Sequence, residues 1–118
     1  MLESQIIAIG SQAMTAPEPM LIMFNETASD QLTKVAVIQR FKSSQQENYT
    51  LEVGHKIRID DQEYTINYIG ELVKNNLLML GHATLHFKEV PSNPLGNTIY
   101  LEPNELPEIK VGTIIKYY

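Results

Sequence analysis

Lys56-Ile57-Arg58-Ile59-Asp60-Asp61-Gln62-Glu63-Tyr64-Thr65-Ile66-Asn67-Tyr68-Ile69 alternates apolar and polar residues on either side of a polar break. Successive side chains of a strand point to opposite faces, so Ile57 and Ile59, then Tyr64, Ile66 and Tyr68, fall on one face. Asp60-Asp61-Gln62 supplies the turn, and the whole reads as a hairpin with one buried side.

The same pattern recurs along the chain. Short apolar segments at Ser4-Ile9, Met20-Phe24, Lys34-Gln39, Ala83-Phe87, Thr98-Leu101 and Thr113-Tyr117 join the two hairpin strands, and most are too short and too β-branched for helices. Only Glu71-Leu80 has helical spacing, through Leu72, Asn76 and Leu80, with Gly81 placed to end it. Val53-Gly54 and Val111-Gly112 each precede a strand pattern and read as turns. Ser43-Asn48 is a polar loop and Pro91-Pro94 an irregular connection. Eight strands and one short helix predict an all-β fold, a small closed or nearly closed β-barrel, with a two-sheet sandwich as the alternative.

A chain of 118 residues, 43% apolar, suits a single domain over residues 1–118. No run approaches the roughly 18 apolar residues of a membrane-crossing helix, and no basic-then-apolar leader opens the chain. A cytoplasmic location without direct membrane insertion is therefore expected. The absence of cysteine removes disulfides, thiolate metal sites and cysteine nucleophiles together. A net charge of -5 with scattered Lys and Arg argues against nucleic acid and suits a partner with a basic face.

No Gly-rich phosphate loop, Gly-x-Ser-x-Gly elbow or His-Glu-x-x-His helix is present, and no cofactor is expected. The chemistry reduces to three histidines. His82 and His86 stand about 13 Å apart along a strand at ~3.3 Å per residue, too far to share a metal ion. Alternation places His82, Thr84 and His86 on one face and Ala83, Leu85 and Phe87 on the other. A neutral imidazole nitrogen can carry a group covalently when its other nitrogen is held by an acceptor, and Thr84 is within reach to orient such a ring. The plainer readings make His82 a corner residue between helix and strand, His86 a surface residue and His55 a turn residue. The carboxylates of Asp60-Asp61 belong to the turn.

Ile9-Gly10-Ser11-Gln12-Ala13, Met20-Leu21-Ile22-Met23-Phe24, Ile69-Gly70, Asn76-Leu77, Leu80-Gly81-His82-Ala83-Thr84-Leu85-His86-Phe87, Gly96-Asn97-Thr98 and Val111-Gly112-Thr113-Ile114-Ile115-Lys116-Tyr117 occur in order along the chain. In these the sequence resembles the glucitol/sorbitol-specific IIA components of the bacterial sugar phosphotransferase system. The resemblance implies a small β-barrel that accepts a phosphoryl group from the phosphocarrier protein HPr on a histidine. It then passes the group to the IIB unit of the IIB/IIC permease for sorbitol uptake. The histidine usually regarded as phosphorylated in that family falls here at or beside Gln39, and glutamine cannot form a phosphoramidate. His82 then becomes the candidate acceptor, with Gly81 and Thr84 supporting it, although a helix C-terminus disfavours a phosphoryl dianion. The alternative is a phosphorylation-incompetent domain of the same fold with a regulatory or protein-binding role. Strand edges left open by an incompletely closed barrel would allow a homodimer.

Overall fold

A computed structural model describes residues 2–14, 17–42 and 51–118. Among the described residues eight strands run as β1 (Leu2–Ile9), β2 (Met20–Phe24), β3 (Val37–Phe41), β4 (Lys56–Ile59), β5 (Gln62–Ile69), β6 (Ala83–His86), β7 (Thr98–Glu102) and β8 (Ile114–Tyr117). They form a closed barrel in the order β1-β3-β2-β6-β7-β5-β4-β8, with β8 paired back to β1. Each strand is therefore hydrogen-bonded on both sides, which rules out the sandwich and removes open edges as a basis for a homodimer.

The β4–β5 hairpin pairs Ile57 with Tyr64 and Ile59 with Gln62. Ile57, Ile59, Tyr64 and Ile66 are buried together in the core, as alternation predicts. Tyr68 departs from the pattern. A register shift between Ile66 and Tyr68 reverses the alternation, so Ile69 packs on the core while Tyr68 meets Tyr100 edge-on at 6.0 Å. Asp60 serves the turn at φ 53°, and its carboxylate accepts from the Thr113 hydroxyl at 2.9 Å and the Ile114 N–H at 3.0 Å, tying the hairpin to the start of β8.

Among the described residues two helices interrupt the strands. The predicted one is α2 (Val73–Leu80), shorter by two residues at its start and burying Val73 and Leu77. The other, α1 (Asp30–Thr33), has Ser29 as its N-cap, the hydroxyl accepting from Leu32 N–H at 3.3 Å. It displaces the predicted start of the third strand. Lys34 closes the helix, and the strand begins only at Val37. The Val-Gly steps lie in turns ahead of β4 and β8, which pair with one another. Residues 91–94 are irregular, as expected, and the loop predicted over 43–48 lies outside the described residues.

β6 sets the orientation of the histidines. Ala83, Leu85 and Phe87 have no exposed surface and belong to the core. Covering a Leu or Phe side chain contributes about 1.5–3 kcal/mol. A one-residue slip would exchange these side chains for His82, Thr84 and His86, so the register is firmly determined.

Candidate functional site

His82 stands where α2 gives way to β6. The helix ends on Gly81 in the left-handed region, φ 60° and ψ 22°, and the N–H groups of Gly81 and His82 both turn back to the Asn76 carbonyl, Gly81 also to Leu77. Only glycine suits this corner, since a Cβ on residue 81 would lie 2.7 Å from the Asn25 Cβ and 2.8 Å from its nitrogen.

The imidazole is held on three sides. Its Nδ1 lies 3.0 Å from the Met23 carbonyl; a carbonyl only accepts, so in the neutral ring Nδ1 carries the proton and Nε2 the lone pair. The Phe24 ring is stacked on one face, centroids 4.1 Å apart and planes inclined by 16°. The Asn97 side-chain amide nitrogen is 3.4 Å from Nε2. The ring as a whole is partly exposed. Such a group can act as a nucleophile at Nε2, with a neutral N–H donor beside the position that an incoming group would take.

Asn97 is brought in from the loop before β7. Gly70 approaches that loop so closely that a Cβ on it would lie 2.2 Å from the Gly96 carbonyl, while Leu72 N–H donates to the same carbonyl at 2.8 Å. Thr84 contributes through its backbone, its N–H donating to Asn97 carbonyl at 3.0 Å. The described hydrogen bonds of the His82 ring run to Met23 and Asn97, and none runs from the Thr84 hydroxyl.

Gln39 points into the barrel with no exposed surface. Its Oε1 accepts from Ser4 Oγ at 2.6 Å and from Tyr117 OH at 2.8 Å, and its Nε2 donates to the Gly81 carbonyl at 2.9 Å. The position where the resemblance places a histidine is thus bonded directly to the residue preceding His82. Two positions far apart in sequence meet at one corner.

The other histidines are elsewhere. His86 is not a surface residue: its side chain is only 11% exposed, its Nε2 is 3.1 Å from Glu18 Oε2, and its ring stacks on Tyr100 with centroids 5.7 Å apart. Tyr100 and the segment carrying Glu18 cover the outer face of the barrel there, which period-two alternation alone does not register. His55 follows the turn before β4, with Nδ1 3.1 Å from the Tyr118 carbonyl and Nε2 3.7 Å from Glu52. Among the described residues no group of three His, Asp or Glu is arranged to hold a metal ion. No helix among them is long and apolar enough to cross a membrane.

Sequence reasoning did not single out Phe24, Asn97 or the Met23 carbonyl as parts of the site. The pairing of Met23 with Ala83 across β2 and β6, and of Thr84 with Thr98 across β6 and β7, is what delivers them.

Known proteins share this arrangement of strands and sequence. Over 119 aligned residues the chain is 25% identical to the PTS system glucitol/sorbitol-specific EIIA component of Escherichia coli (strain K12), covering 98% of this chain and 92% of that protein. The corresponding protein of Shigella flexneri matches at the same identity and coverage. The crystal structure of a PTS system IIA component from Enterococcus faecalis V583 superposes with a TM-score of 0.90 at 37% identity, covering 98% of each chain. A model of the PTS system glucitol/sorbitol-specific IIA component family matches residues 1–116. With the match running from β1 into β8, the chain belongs to the family of glucitol/sorbitol-specific IIA components of the phosphotransferase system.

Proposed function

We propose that this protein is a cytoplasmic phosphocarrier that takes a phosphoryl group from HPr onto Nε2 of His82 and delivers it to the IIB unit of a glucitol/sorbitol permease. The observation that carries this reading is the commitment of Nδ1 to the Met23 carbonyl, which leaves the Nε2 lone pair as the nucleophile on the outer side of the barrel. In the first transfer that lone pair attacks phosphorus, a new Nε2–P bond forms, and the P–N bond to the donor imidazole breaks with its electron pair returning to the donor ring. The positive charge that His82 gains is shared with Nδ1–H, already bonded to Met23. The second transfer reverses these steps toward the IIB nucleophile.

Further features support the reading. Asn97 is placed to donate to a phosphoryl oxygen without adding charge. The negative end of α2 is partly occupied: the carbonyls of Asn76 and Leu77 accept from the Gly81 and His82 N–H groups, that of Leu80 from Asn25, and that of Gly81 from Gln39. This weakens the dipole's opposition to a bound dianion. Leu78, Met79 and Leu80 are exposed in the last turn before His82, Met79 by 75%. They supply an apolar margin of the kind two successive protein partners can share.

Incubation with phosphoenolpyruvate, enzyme I and HPr is expected to add one acid-labile phosphoryl group, detected by mass, and His82→Ala is expected to abolish it. Absence of any mass gain in the wild-type protein would exclude the phosphocarrier role. Label retained in the His82→Ala variant would exclude His82 as the acceptor.

The buried amide of Gln39, bonded at both its oxygen and its nitrogen, favours a second reading, a family member that binds its partners without carrying phosphate. It predicts association with HPr or with a glucitol IIB domain in the absence of label transfer. Lack of any such association would eliminate it.

A further inference from the structure

The peptide group joining Gly81 to His82 is held at both of its polar atoms. Its oxygen accepts from Gln39 Nε2 at 2.9 Å, and its N–H donates to the Asn76 carbonyl at 3.1 Å. The plane of this peptide sets the direction in which the His82 side chain leaves the backbone, and the Met23 carbonyl then fixes the ring.

Gln39 is itself immobilised by distant parts of the barrel. Ser4 on β1 and Tyr117 on β8 donate to its Oε1. Because the Gly81 carbonyl only accepts, the amide nitrogen must face it, so the orientation of the amide is determined. A buried amide is kept where its partners replace the water it has lost, and here three partners do so. Alternation puts Val37, Gln39 and Phe41 on the inner side of β3, with Val37 in the core and Phe41 packed against it. An apolar side chain would leave the Gly81 carbonyl and the buried hydroxyls of Ser4 and Tyr117 without this partner. Of the three partners, the Gly81 carbonyl is the one that adjoins His82.

We infer that Gln39 is a positioning residue for phosphoryl transfer at His82, acting through the Gly81 carbonyl from inside the barrel while His82 faces outward. It holds the peptide plane that carries the nucleophile. This inference rests on the reading of His82 as the acceptor. It also gives the glutamine at this position a role other than that of a lost histidine.

Two variants test it. Gln39→Met removes both hydrogen-bonding ends at nearly constant volume. Gln39→Glu keeps the shape, and only its protonated carboxyl can donate to the Gly81 carbonyl. In Gln39→Met the phosphorylation rate at saturating HPr is expected to fall by about ten- to a hundredfold, as for a nucleophile displaced by a fraction of an ångström. The KM for HPr should stay within about twofold, and the His82 Nδ1–H resonance should shift or broaden in 15N-resolved NMR spectra.

Gln39→Glu should approach wild-type rate and spectrum at low pH and lose both as its carboxylate forms with rising pH, a dependence beyond that of the wild type. Wild-type rate and an unchanged imidazole resonance in Gln39→Met would overturn the inference. So would a Gln39→Glu variant whose pH profile matches the wild type, and this variant decides alone if Gln39→Met fails to fold. If the wild-type protein takes up no phosphate, the phosphocarrier reading falls, while the imidazole spectra of the same variants still decide whether Gln39 holds His82 in place.

Discussion

The ring of Phe24 lies flat against the imidazole of His82, centroids 4.1 Å apart and planes 16° from parallel. Phe24 ends β2, directly after the residue whose carbonyl accepts from Nδ1 of the same histidine. One strand end thus supplies both a hydrogen-bond acceptor and a stacking surface. Aromatic pairs of this kind are worth about 0.5–1.5 kcal/mol beyond area burial. Phe24→Ala is accordingly expected to slow phosphoryl uptake by about two- to tenfold, the factor corresponding to that energy. Phe24→Leu, which keeps the apolar cover, should lose less. Equal losses in the two variants would show that the flat stack contributes nothing to the transfer.

Asn97 approaches Nε2 rather than Nδ1, and its 3.4 Å separation is long for a hydrogen bond to the bare ring. On the proposed transfer to His82, its value would lie with the phosphorylated state, where an oxygen would occupy the space beside Nε2. Loss of one preorganised donor at such a position costs about 10²–10³ in rate in other systems. Asn97→Ala is expected to lower the transfer rate by about a hundredfold with little change in thermal stability, measured by quench-flow labelling and by melting in parallel. Asn97→Asp, which places a carboxylate against the phosphoryl oxygens, should be slower still. An Asn97→Asp variant faster than Asn97→Ala would exclude the donor role.

The elements of this fold were legible wherever one local rule decided them. Alternation gave the β4–β5 hairpin, and the Ala83, Leu85 and Phe87 pattern gave the inward face of β6, because a slip would bury polar groups. Helical spacing followed by glycine gave the end of α2 at Gly81. The helix α1 was missed although Ser29-Asp30 is a recognisable N-terminal signal, since four residues are too few to show a helical period. The site was legible in part, and for a different reason. His82 could be named as a candidate from residue type, strand parity and its place in the segment that carries the family resemblance. Its neighbours could not, because Asn97 comes from 15 residues away through a parallel pairing and Gln39 reaches a carbonyl 42 residues distant. No periodicity along the chain encodes those meetings. Burial of His86 escaped for the same reason, its cover being Tyr100 and the segment of Glu18.

Tyr64 shows how the core responds to alkaline pH. It is buried against Phe87, ring centroids 4.8 Å apart, and its hydroxyl donates to the Glu105 carbonyl at 2.9 Å. Burial, followed by the nearby Glu105 carboxylate, raises its pKa above the usual 10.0. The unfolded chain therefore ionises this phenol first. The resulting stability is fully present below about pH 10 and is lost as pH rises through the higher folded-state value. Spectrophotometric titration should show a late-ionising tyrosine that is absent in Tyr64→Phe. The variant should also lose less stability between neutral and strongly alkaline pH than the wild type. An unchanged titration curve in Tyr64→Phe would remove this assignment.

Gly81 joins stability to the site, and two physical effects there can be separated by substitution. The left-handed conformation at φ 60° costs a residue with a Cβ about 1–2 kcal/mol. A Cβ would also meet Asn25 at 2.7 Å, where the backbone N–H of Asn25 is bonded to the Leu80 carbonyl. Gly81→Ala carries both penalties and is expected to cost at least about 2 kcal/mol, lowering Tm by roughly 8 °C at this chain length. Gly81→Asn relieves much of the conformational penalty, because asparagine tolerates the left-handed region, but retains the contact. If close packing dominates, the two variants melt together; if backbone conformation dominates, Gly81→Asn recovers most of the loss. Both should slow phosphoryl uptake more than an equally destabilising core change such as Leu85→Val, because movement at residue 81 displaces the peptide plane that Gln39 and Asn76 hold. A melting temperature unchanged in Gly81→Ala would contradict this account of the corner.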